Sequence, residues 1–274
     1  MNILILRGGK SSRMGQDKAQ IVLPGEDVTL LQRTIALARP FSRNLFLSVA
    51  QDDSGTHPLP TIPDLEENPG PLGGLQAALA YDPATPWLLI ACDLPRLTSE
   101  AISTLLDAKV LDETQATAYQ NPLDQQPEPL LALYQPSAQP ILAETLAENR
   151  RCARNFLRSL NAKLLQPADP QLFLNLNRPE HLDELAHLNQ HGVREKTVTV
   201  EYFAKLAAEA NRDQETLTTT AATLTGLWEE VGLQHRFSLD QPQIKPAIND
   251  EFADWSTPIV EGQRIAFMPP FAGG

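Results

Sequence analysis

The sequence is poor in cysteine and has no long apolar run. Its two cysteines, Cys92 and Cys152, are too few for a disulfide framework in 274 residues, and neither has the spacing of a metal site. No apolar segment approaches the roughly 20 residues that a membrane-spanning helix needs. Met1 leads directly into a strand-like run, without the pattern of a signal peptide. We therefore expect a soluble, cytoplasmic protein that does not bind membranes.

Basic residues are also scarce. The chain has 22 lysines and arginines against 34 aspartates and glutamates, which gives a net charge of −12. A surplus of negative charge argues against binding to nucleic acid or to an anionic membrane surface. The length leaves room for two domains.

Two common phosphate-binding motifs are missing, but another glycine-rich pattern is present. The sequence has neither the Walker A pattern G-x4-G-K-[ST] nor the dinucleotide fingerprint G-x-G-x-x-G. An apolar run over residues 3–6 predicts a buried parallel strand, followed by Gly8, Gly9 and a basic, hydroxyl-rich loop up to Lys18. Glycine N–H groups, Arg13 and Lys18 suit phosphate, so we predict a nucleotide-phosphate site at the carboxyl end of a sheet.

The rest of the first two-thirds of the chain alternates between strand and helix patterns. Such alternation predicts a three-layer α/β domain with a parallel sheet. The sequence GPLGG, residues 70–74, is a turn that leads into one of the helices. The predicted strands cover residues 45–49, 61–64, 87–92, 130–134 and 173–176, and the predicted helices cover residues 30–37, 75–80 and 180–190.

Two aspartates follow predicted strands. Asp93 comes at the end of one strand, in the sequence ACDLP. A carboxylate at the carboxyl edge of a sheet, near a phosphate loop, is placed to hold Mg²⁺; the alternative is an aspartate that caps the following turn. Asp64 can accept hydrogen bonds from a base N–H group or from ribose, or it is a turn residue before Pro69 and Gly70.

The loop pattern L-x-G-G-x-S-x-R-M-G-x-D-K, residues 6–18, resembles the signature loop of nucleotidyltransferases, most closely that of the molybdenum cofactor guanylyltransferases. The resemblance covers roughly residues 1–190 and includes TIPD followed by GPLGG, then CDLP, then NLNRPEHL. It implies a Rossmann-like nucleotidyltransferase domain over residues 1–192. In this family the enzyme transfers GMP from GTP to the phosphate of (molybdo)molybdopterin and releases pyrophosphate.

The same resemblance implies a set of site residues. It assigns nucleotide contacts to Leu6, Arg7, Gly8, Gly9, Lys18, Asp64 and Asp93, the Mg²⁺ ion to Asp93, and the pterin side to Asn175 and Asn177. The catalytic groups would be Arg13, Lys18 and Asp93 with its Mg²⁺, which stabilise the charge on the leaving pyrophosphate. Asn177 has a second interpretation, because Glu180 three residues later makes it a candidate helix N-cap.

Two positions depart from the family pattern. Arg7 stands where the family usually has alanine, and its long side chain either points at the triphosphate or crowds the base pocket. The second strand ends Ser48-Val49-Ala50, where an asparagine is expected. These departures leave open a cytidylyltransferase, or a nucleotide-binding module without catalysis, although the glycine pair after Arg7 favours guanine.

The last 80 residues have a different pattern of apolar and polar residues. From Thr197 the chain alternates apolar and polar residues, then has a helical stretch over residues 224–231 and further strand patterns at residues 247–248 and 265–268, which predicts a small α+β domain over residues 196–274. The printed sequence ends in Gly273-Gly274 after a Pro-Pro pair. Such a thin tail can enter an active-site channel and offer its carboxylate for adenylation.

This region resembles the small subunit of molybdopterin synthase, a ubiquitin-like β-grasp sulfur carrier. The resemblance rests on EYFAKLAAEAN and on AINDEFADWSTPIVEGQRIAFMPPFAGG. It implies that Gly274 is activated as an acyl-adenylate and converted to a thiocarboxylate. The implied partners are an adenylating and sulfur-transferring enzyme and the large synthase subunit; a thiamine-type sulfur carrier is the nearest alternative.

Overall fold

The computed structural model describes residues 1–7, 17–66, 70–108, 113–176 and 179–269. They form two compact units. The first contains Met1–Ala168 and Leu172–Leu176, and the second contains Asp169–Gln171 and Asn177–Gly274. Each unit is described below by itself.

The first unit is built on a seven-stranded sheet with the order β3-β2-β1-β4-β6-β5-β7. All neighbouring strands are parallel except β6, which is antiparallel to both β4 and β5. The other six strands therefore end at one edge of the sheet, and β6 begins there. The strands are β1 (Asn2–Leu6), β2 (Leu45–Val49), β3 (Thr61–Pro63), β4 (Trp87–Ala91), β5 (Ala116–Gln120), β6 (Pro127–Tyr134) and β7 (Ala162–Leu165).

Helices cover both faces of this sheet and give it three layers. Strands β1 and β4 are buried along their whole length, because every residue has a helix layer above or below it. Ile3 and Ile90 pack with the helices of one face, and Leu4 and Leu89 pack with those of the other. The first face carries α1 (Leu30–Ala38) and α3 (Ser99–Asp107), and the second carries α2 (Pro71–Tyr81), α4 (Gln139–Ala147) and α5 (Ala153–Ser159).

The structure corrects the sequence-based strands in two places. The predicted strand at residues 173–176 is wrong: Phe173 lies in a loop and packs its buried ring beside Tyr119, with centroids 6.0 Å apart. Strand β6 begins three residues before the predicted start, although it contains Pro127 and Pro129. Pro127 is its first residue, and Pro129 falls where the β5–β6 register shifts, so both prolines occupy positions that a strand tolerates.

The second unit has a five-stranded sheet with the order β11-β10-β12-β8-β9. Strands β12 and β8 are parallel, and the other pairs are antiparallel. Its strands are β8 (Lys196–Tyr202), β9 (Gln214–Thr219), β10 (Lys245–Ile248), β11 (Glu251–Phe252) and β12 (Arg264–Met268), and its helices are α6 (Glu180–His191), α7 (Lys205–Ala210) and α8 (Leu224–His235).

Helix α8 packs across one face of this second sheet, which gives the predicted β-grasp arrangement. The alternating Val198, Val200 and Tyr202 of β8 are buried with Leu227 and Trp228 of α8 in one apolar core. Among the described residues of the whole chain, no helix has both the length and the apolar character needed to cross a membrane.

Helix α6 belongs to the second compact unit. Its Glu184 accepts hydrogen bonds from Ala222 and Thr223, just before α8, and its His181 side chain is 3.5 Å from Glu229 of α8. The compact second unit thus begins before residue 192. The division into domains at residues 192–196 remains a prediction about family boundaries.

Candidate functional site

The centre of the candidate site is an ion pair between Lys18 and Asp93. Asp93 follows β4 at the carboxyl edge of the sheet, and Lys18 opens a short 3-10 helix, Lys18–Gln20, whose N-cap is Asp17. Lys18 Nζ donates to Asp93 Oδ2 across 2.9 Å, and the two side chains are 11% and 17% exposed. The structure thus brings together two of the predicted catalytic residues, which are 75 positions apart in sequence.

Arg7, the first residue after β1, points toward carboxylates at the same edge. Its Nη2 donates to Asp17 Oδ2 at 2.6 Å, and its Nη1 lies 3.7 Å from Asp53 Oδ2. Its carbonyl oxygen accepts a hydrogen bond from Cys92 Sγ at 3.1 Å. The side chain that departs from the family pattern is therefore neutralised by two acidic groups of this chain.

Asp53, between β2 and β3, is a residue that the sequence analysis did not single out. Its Oδ1 accepts hydrogen bonds from the Gly55 N–H at 2.7 Å and lies 2.8 Å from His57 Nε2. These hydrogen bonds, with the charges of His57 and Arg7, lower the pKa of the Asp53 carboxyl. Asp53 is not part of a recognisable motif. The signal in the sequence that could have indicated it is the acidic pair Asp52-Asp53 in the loop after β2.

Asp64 follows β3 and offers an unused acceptor. Its N–H donates to the carbonyl of Val49 at 2.9 Å, which fixes the residue beside the end of β2. Burial raises the pKa of its carboxyl, and a hydrogen bond with Ser48 opposes that rise. Its Oδ1 is buried and has no hydrogen-bond partner among the described residues. Such an acceptor suits the N–H or O–H donors of a nucleoside.

The GPLGG sequence forms the first turn of α2 rather than a turn before it. Gly70 precedes the helix with a φ of +68°, a conformation that favours glycine. Gly74 lies against the ends of β1 and β2, since a Cβ there would be 2.8 Å from Ser48 Oγ and 2.9 Å from Leu6 Cδ2. Glycine at position 74 therefore lets the start of α2 approach the ends of β1 and β2, beside Arg7.

The remaining predicted site residues divide into one described residue and several that are not. Asn175 is half-buried, and the next residue, Leu176, donates its N–H to the carbonyl of Asp93 at 3.4 Å, so this segment runs beside the ion pair. The predicted contacts that lie outside the described residues are Gly8, Gly9, Arg13, Asn177 and Gly274.

The described side chains of the site provide few ligands for Mg²⁺. Among the described residues, no three His, Cys, Asp or Glu side chains are grouped as a protein-only metal site. Mg²⁺ is usually held by one or two carboxylates together with substrate phosphates and water, so the single carboxylate of Asp93 fits such an ion.

Comparisons with known proteins agree with this architecture. Residues 3–164 match the family model described as the MobA-like NTP transferase domain. The chain belongs to this family. Residues 200–274 match the model of the ThiS family.

Several relatives resemble the MobA-like domain. A molybdenum cofactor biosynthesis bifunctional protein of Synechocystis sp. is 32% identical over 185 residues, which cover 66% of this chain and 52% of that protein. A probable molybdenum cofactor guanylyltransferase of Synechococcus elongatus is 33% identical over 187 residues, 64% of this chain and 93% of the relative. The crystal structure of molybdopterin-guanine dinucleotide biosynthesis protein A from Archaeoglobus fulgidus has a TM-score of 0.54 at 22% identity, and the match covers 69% of this chain and 99% of that one.

The structural likeness shows that the MobA-like domain has the expected nucleotidyltransferase fold. The chain spans about half the length of the Synechocystis protein.

Proposed function

We propose that the MobA-like domain transfers GMP from GTP to the phosphate of (molybdo)molybdopterin and releases pyrophosphate. The observation that carries this proposal is the Lys18–Asp93 pair at the carboxyl edge of the sheet, in which Lys18 is the last residue of the signature loop. The names of the relatives support the choice of nucleotide and acceptor.

Each described site residue has a role in this proposal. The backbone at Leu6 and Arg7 lies beside the nucleotide, and the unused Oδ1 of Asp64 accepts a hydrogen bond from guanine or ribose. Lys18 turns from Asp93 to the phosphate oxygens, because a polyphosphate is the more highly charged partner. Asp93 is then available to Mg²⁺, which when bound would neutralise charge on the phosphates. Asn175, beside Asp93, lies on the acceptor side.

The reaction makes few covalent demands on the protein. An oxygen of the acceptor phosphate attacks the α-phosphorus of GTP, the new O–P bond forms, and the bond from that phosphorus to the β-phosphate oxygen breaks. The acceptor phosphate is already an anion, so no general base is required. Two cations of the signature loop, Lys18 and Arg13, stabilise the negative charge that passes to pyrophosphate.

The test is pyrophosphate release by the purified protein with Mg²⁺, molybdopterin and each of GTP, CTP, ATP and UTP. We expect turnover with GTP, and a loss of at least about a hundredfold in Asp93→Asn and Lys18→Ala, because each removes charge stabilisation from the transition state. Asp107→Asn, an exposed carboxylate at the end of α3, is the matched control. Nucleotide binding without release would indicate an inactive nucleotide-binding module, and preference for CTP would indicate a cytidylyltransferase.

For the second unit we infer a sulfur-carrier function. The support is the ThiS match, which extends through Gly274, together with a β-grasp sheet whose strand β12 leads into the final residues. An adenylating enzyme would join the Gly274 carboxylate to the AMP part of ATP and release pyrophosphate, and sulfide from a sulfur donor would then displace AMP to leave a thiocarboxylate. The large subunit of molybdopterin synthase is the proposed partner, on which the carrier would give this sulfur to the pterin precursor.

Intact mass spectrometry tests the carrier function. With ATP, a competent activating enzyme and a sulfur donor, one oxygen of the C-terminal peptide should be replaced by sulfur. Deletion of Gly273 and Gly274 should block the exchange while guanylyl transfer continues. Sulfur uptake by the truncated chain, or none by the full chain, would contradict the inference. Sulfur delivery to a thiamine precursor instead of a pterin precursor would favour the thiamine-type carrier.

A further inference from the structure

The Arg7 side chain connects three segments at the site edge. Its guanidinium lies 2.6 Å from Asp17 Oδ2 and 3.7 Å from Asp53 Oδ2, and we call these three residues the Arg7 clasp. Arg7 and Asp17 both belong to the signature loop, residues 6–18, and lie on either side of residues 8–16. The Arg7–Asp17 ion pair therefore joins the end of β1 to the N-cap of the 3-10 helix Lys18–Gln20.

Asp17 connects the Arg7 clasp to the catalytic lysine. While its Oδ2 binds Arg7, its Oδ1 accepts a hydrogen bond from the N–H of Ala19 at 3.0 Å. This bond caps the 3-10 helix that begins with Lys18, whose Nζ lies 2.9 Å from Asp93. A change in Arg7 would thus act on Lys18 through the orientation of Asp17.

Asp53 holds the other side of the Arg7 clasp. Its Oδ1 is fixed by Gly55 and His57, which leaves Oδ2 directed toward Arg7. The side chains of Arg7 and Asp53 are 25% and 22% exposed, so solvent screens their attraction less than it would on an open surface. Arg7 therefore has a partner on a segment outside the signature motif.

We propose that Arg7 is a positioning residue for GTP binding, which holds Asp17 and the adjoining Lys18 in place through the Arg7 clasp. The contacts of Arg7 with Asp17 and Asp53 reduce the ordering that GTP binding must impose on Asp17 and Lys18, which lowers the dissociation constant. Both carboxylates engage the guanidinium from within the protein, so the side chain does not select the base. The inference rests on the proposed nucleotide site and deepens it.

The test compares Arg7→Ala, Asp53→Asn and the double variant with Arg43→Ala, an exposed arginine before β2 that removes the same charge. Two partly exposed ion pairs suggest a rise of about three- to tenfold in the Kd and KM for GTP in Arg7→Ala. The kcat should fall by less than KM rises, and the ratio of GTP to CTP turnover should stay the same. Arg7→Lys should recover part of the loss, because an ammonium can reach one carboxylate but lacks the guanidinium fork. The double variant should lose less than the sum of the single losses.

A second measurement separates this inference from the proposed transferase activity. Amide hydrogen exchange of residues 17–21, measured without nucleotide, should be faster in Arg7→Ala and Asp53→Asn than in the wild type or in Arg43→Ala. This result is expected even for a chain that releases no pyrophosphate. Unchanged exchange and unchanged Kd would overturn the proposal. A fall in kcat at constant Kd would show that Arg7 contacts the reacting phosphates, and a changed GTP to CTP ratio would show that it contacts the base; either would overturn it.

Discussion

Glu184 gives the sharpest stability prediction in the protein. It is a fully buried carboxylate on α6 that accepts hydrogen bonds at the N-terminus of α8. Its Oε1 accepts the N–H of Ala222 at 2.7 Å, and its Oε2 accepts the N–H and the hydroxyl of Thr223 at 2.6 and 2.7 Å. Thr223 is the N-cap residue of α8, but its own hydroxyl does not cap the helix, since it donates to Glu184. Glu184 of α6 therefore supplies the negative charge that favours the N-terminus of α8.

The expected effect of Glu184→Ala follows from these contacts. The substitution leaves three donors buried without their acceptor, each worth about 1–3 kcal/mol although not additively. Removal of one member of a buried charged network usually costs about 3–5 kcal/mol, and we expect a loss in this range for the second unit. Glu184→Gln should lose less, because its amide oxygen can still accept from the N-terminus of α8. The contact is tight, since a Cβ on Gly226 would lie 2.6 Å from Glu184 Cδ.

Urea unfolding followed by peptide-resolved hydrogen exchange measures this effect, because it reports on α8 and its sheet separately from the first unit. Asp183→Ala is the matched control: it removes an exposed carboxylate one position earlier on α6 and should cost less than about 1 kcal/mol. If Glu184→Ala lost no more free energy of unfolding than Asp183→Ala, the cap assignment would be wrong.

Three further predictions concern the single residues Glu230, Gly74 and Cys92. Burial, with a smaller contribution from Glu184, raises the pKa of Glu230 from 4.5 to about 7. The folded pKa is higher than the unfolded one, so the stability from this group is complete below the unfolded pKa and is lost as the pH rises through about 7; the second unit should lose roughly 3 kcal/mol over this range, and Glu230→Gln should flatten the profile. Gly74→Ala should destabilise the first unit by about 1–3 kcal/mol in thermal unfolding and weaken GTP binding, because the new Cβ meets Ser48 and Leu6, whereas Gly232→Ala, with no atom within 4 Å of its added Cβ, should be neutral or stabilising. Burial and the neighbouring Asp93 raise the pKa of the Cys92 thiol to about 12, so iodoacetamide should modify exposed Cys152 in the native protein and reach Cys92 only after unfolding; modification of native Cys92 would contradict this.

The parts of the site that were predictable from sequence are those that local patterns encode. The apolar run at residues 3–6 predicted β1, and the motif that follows it ends in Lys18, whose contact with Asp93 the structure shows. Asp93 was predictable because it follows a continuous apolar strand and precedes a proline. In both cases the sequence pattern that supports the prediction lies within a few residues of the predicted site residue.

The parts that were missed depend on contacts between distant segments. Asp53 has no motif, and its partner Arg7 lies 46 positions earlier in the sequence. Strand β5 has a weak apolar pattern, because its buried residues Ala116 and Ala118 are small and Tyr119 is its single large apolar residue. A strand of this kind is fixed by its neighbours in the sheet, which a single sequence does not display.

The position of α6 shows the same limit at the scale of domains. Its first residues form part of NLNRPEHL, which resembles the guanylyltransferase family. The alternating pattern of apolar and polar residues begins only after Gly192. Packing divides the chain differently, because buried Glu184 is bonded to residues 222 and 223 and His181 faces Glu229. A fragment that starts at residue 196 keeps every strand of the β-grasp sheet but loses the carboxylate that caps α8. A family boundary records which residues share a pattern, whereas a stable fragment must also contain the acceptors of its buried donors. The carrier unit should therefore be isolated with α6 attached.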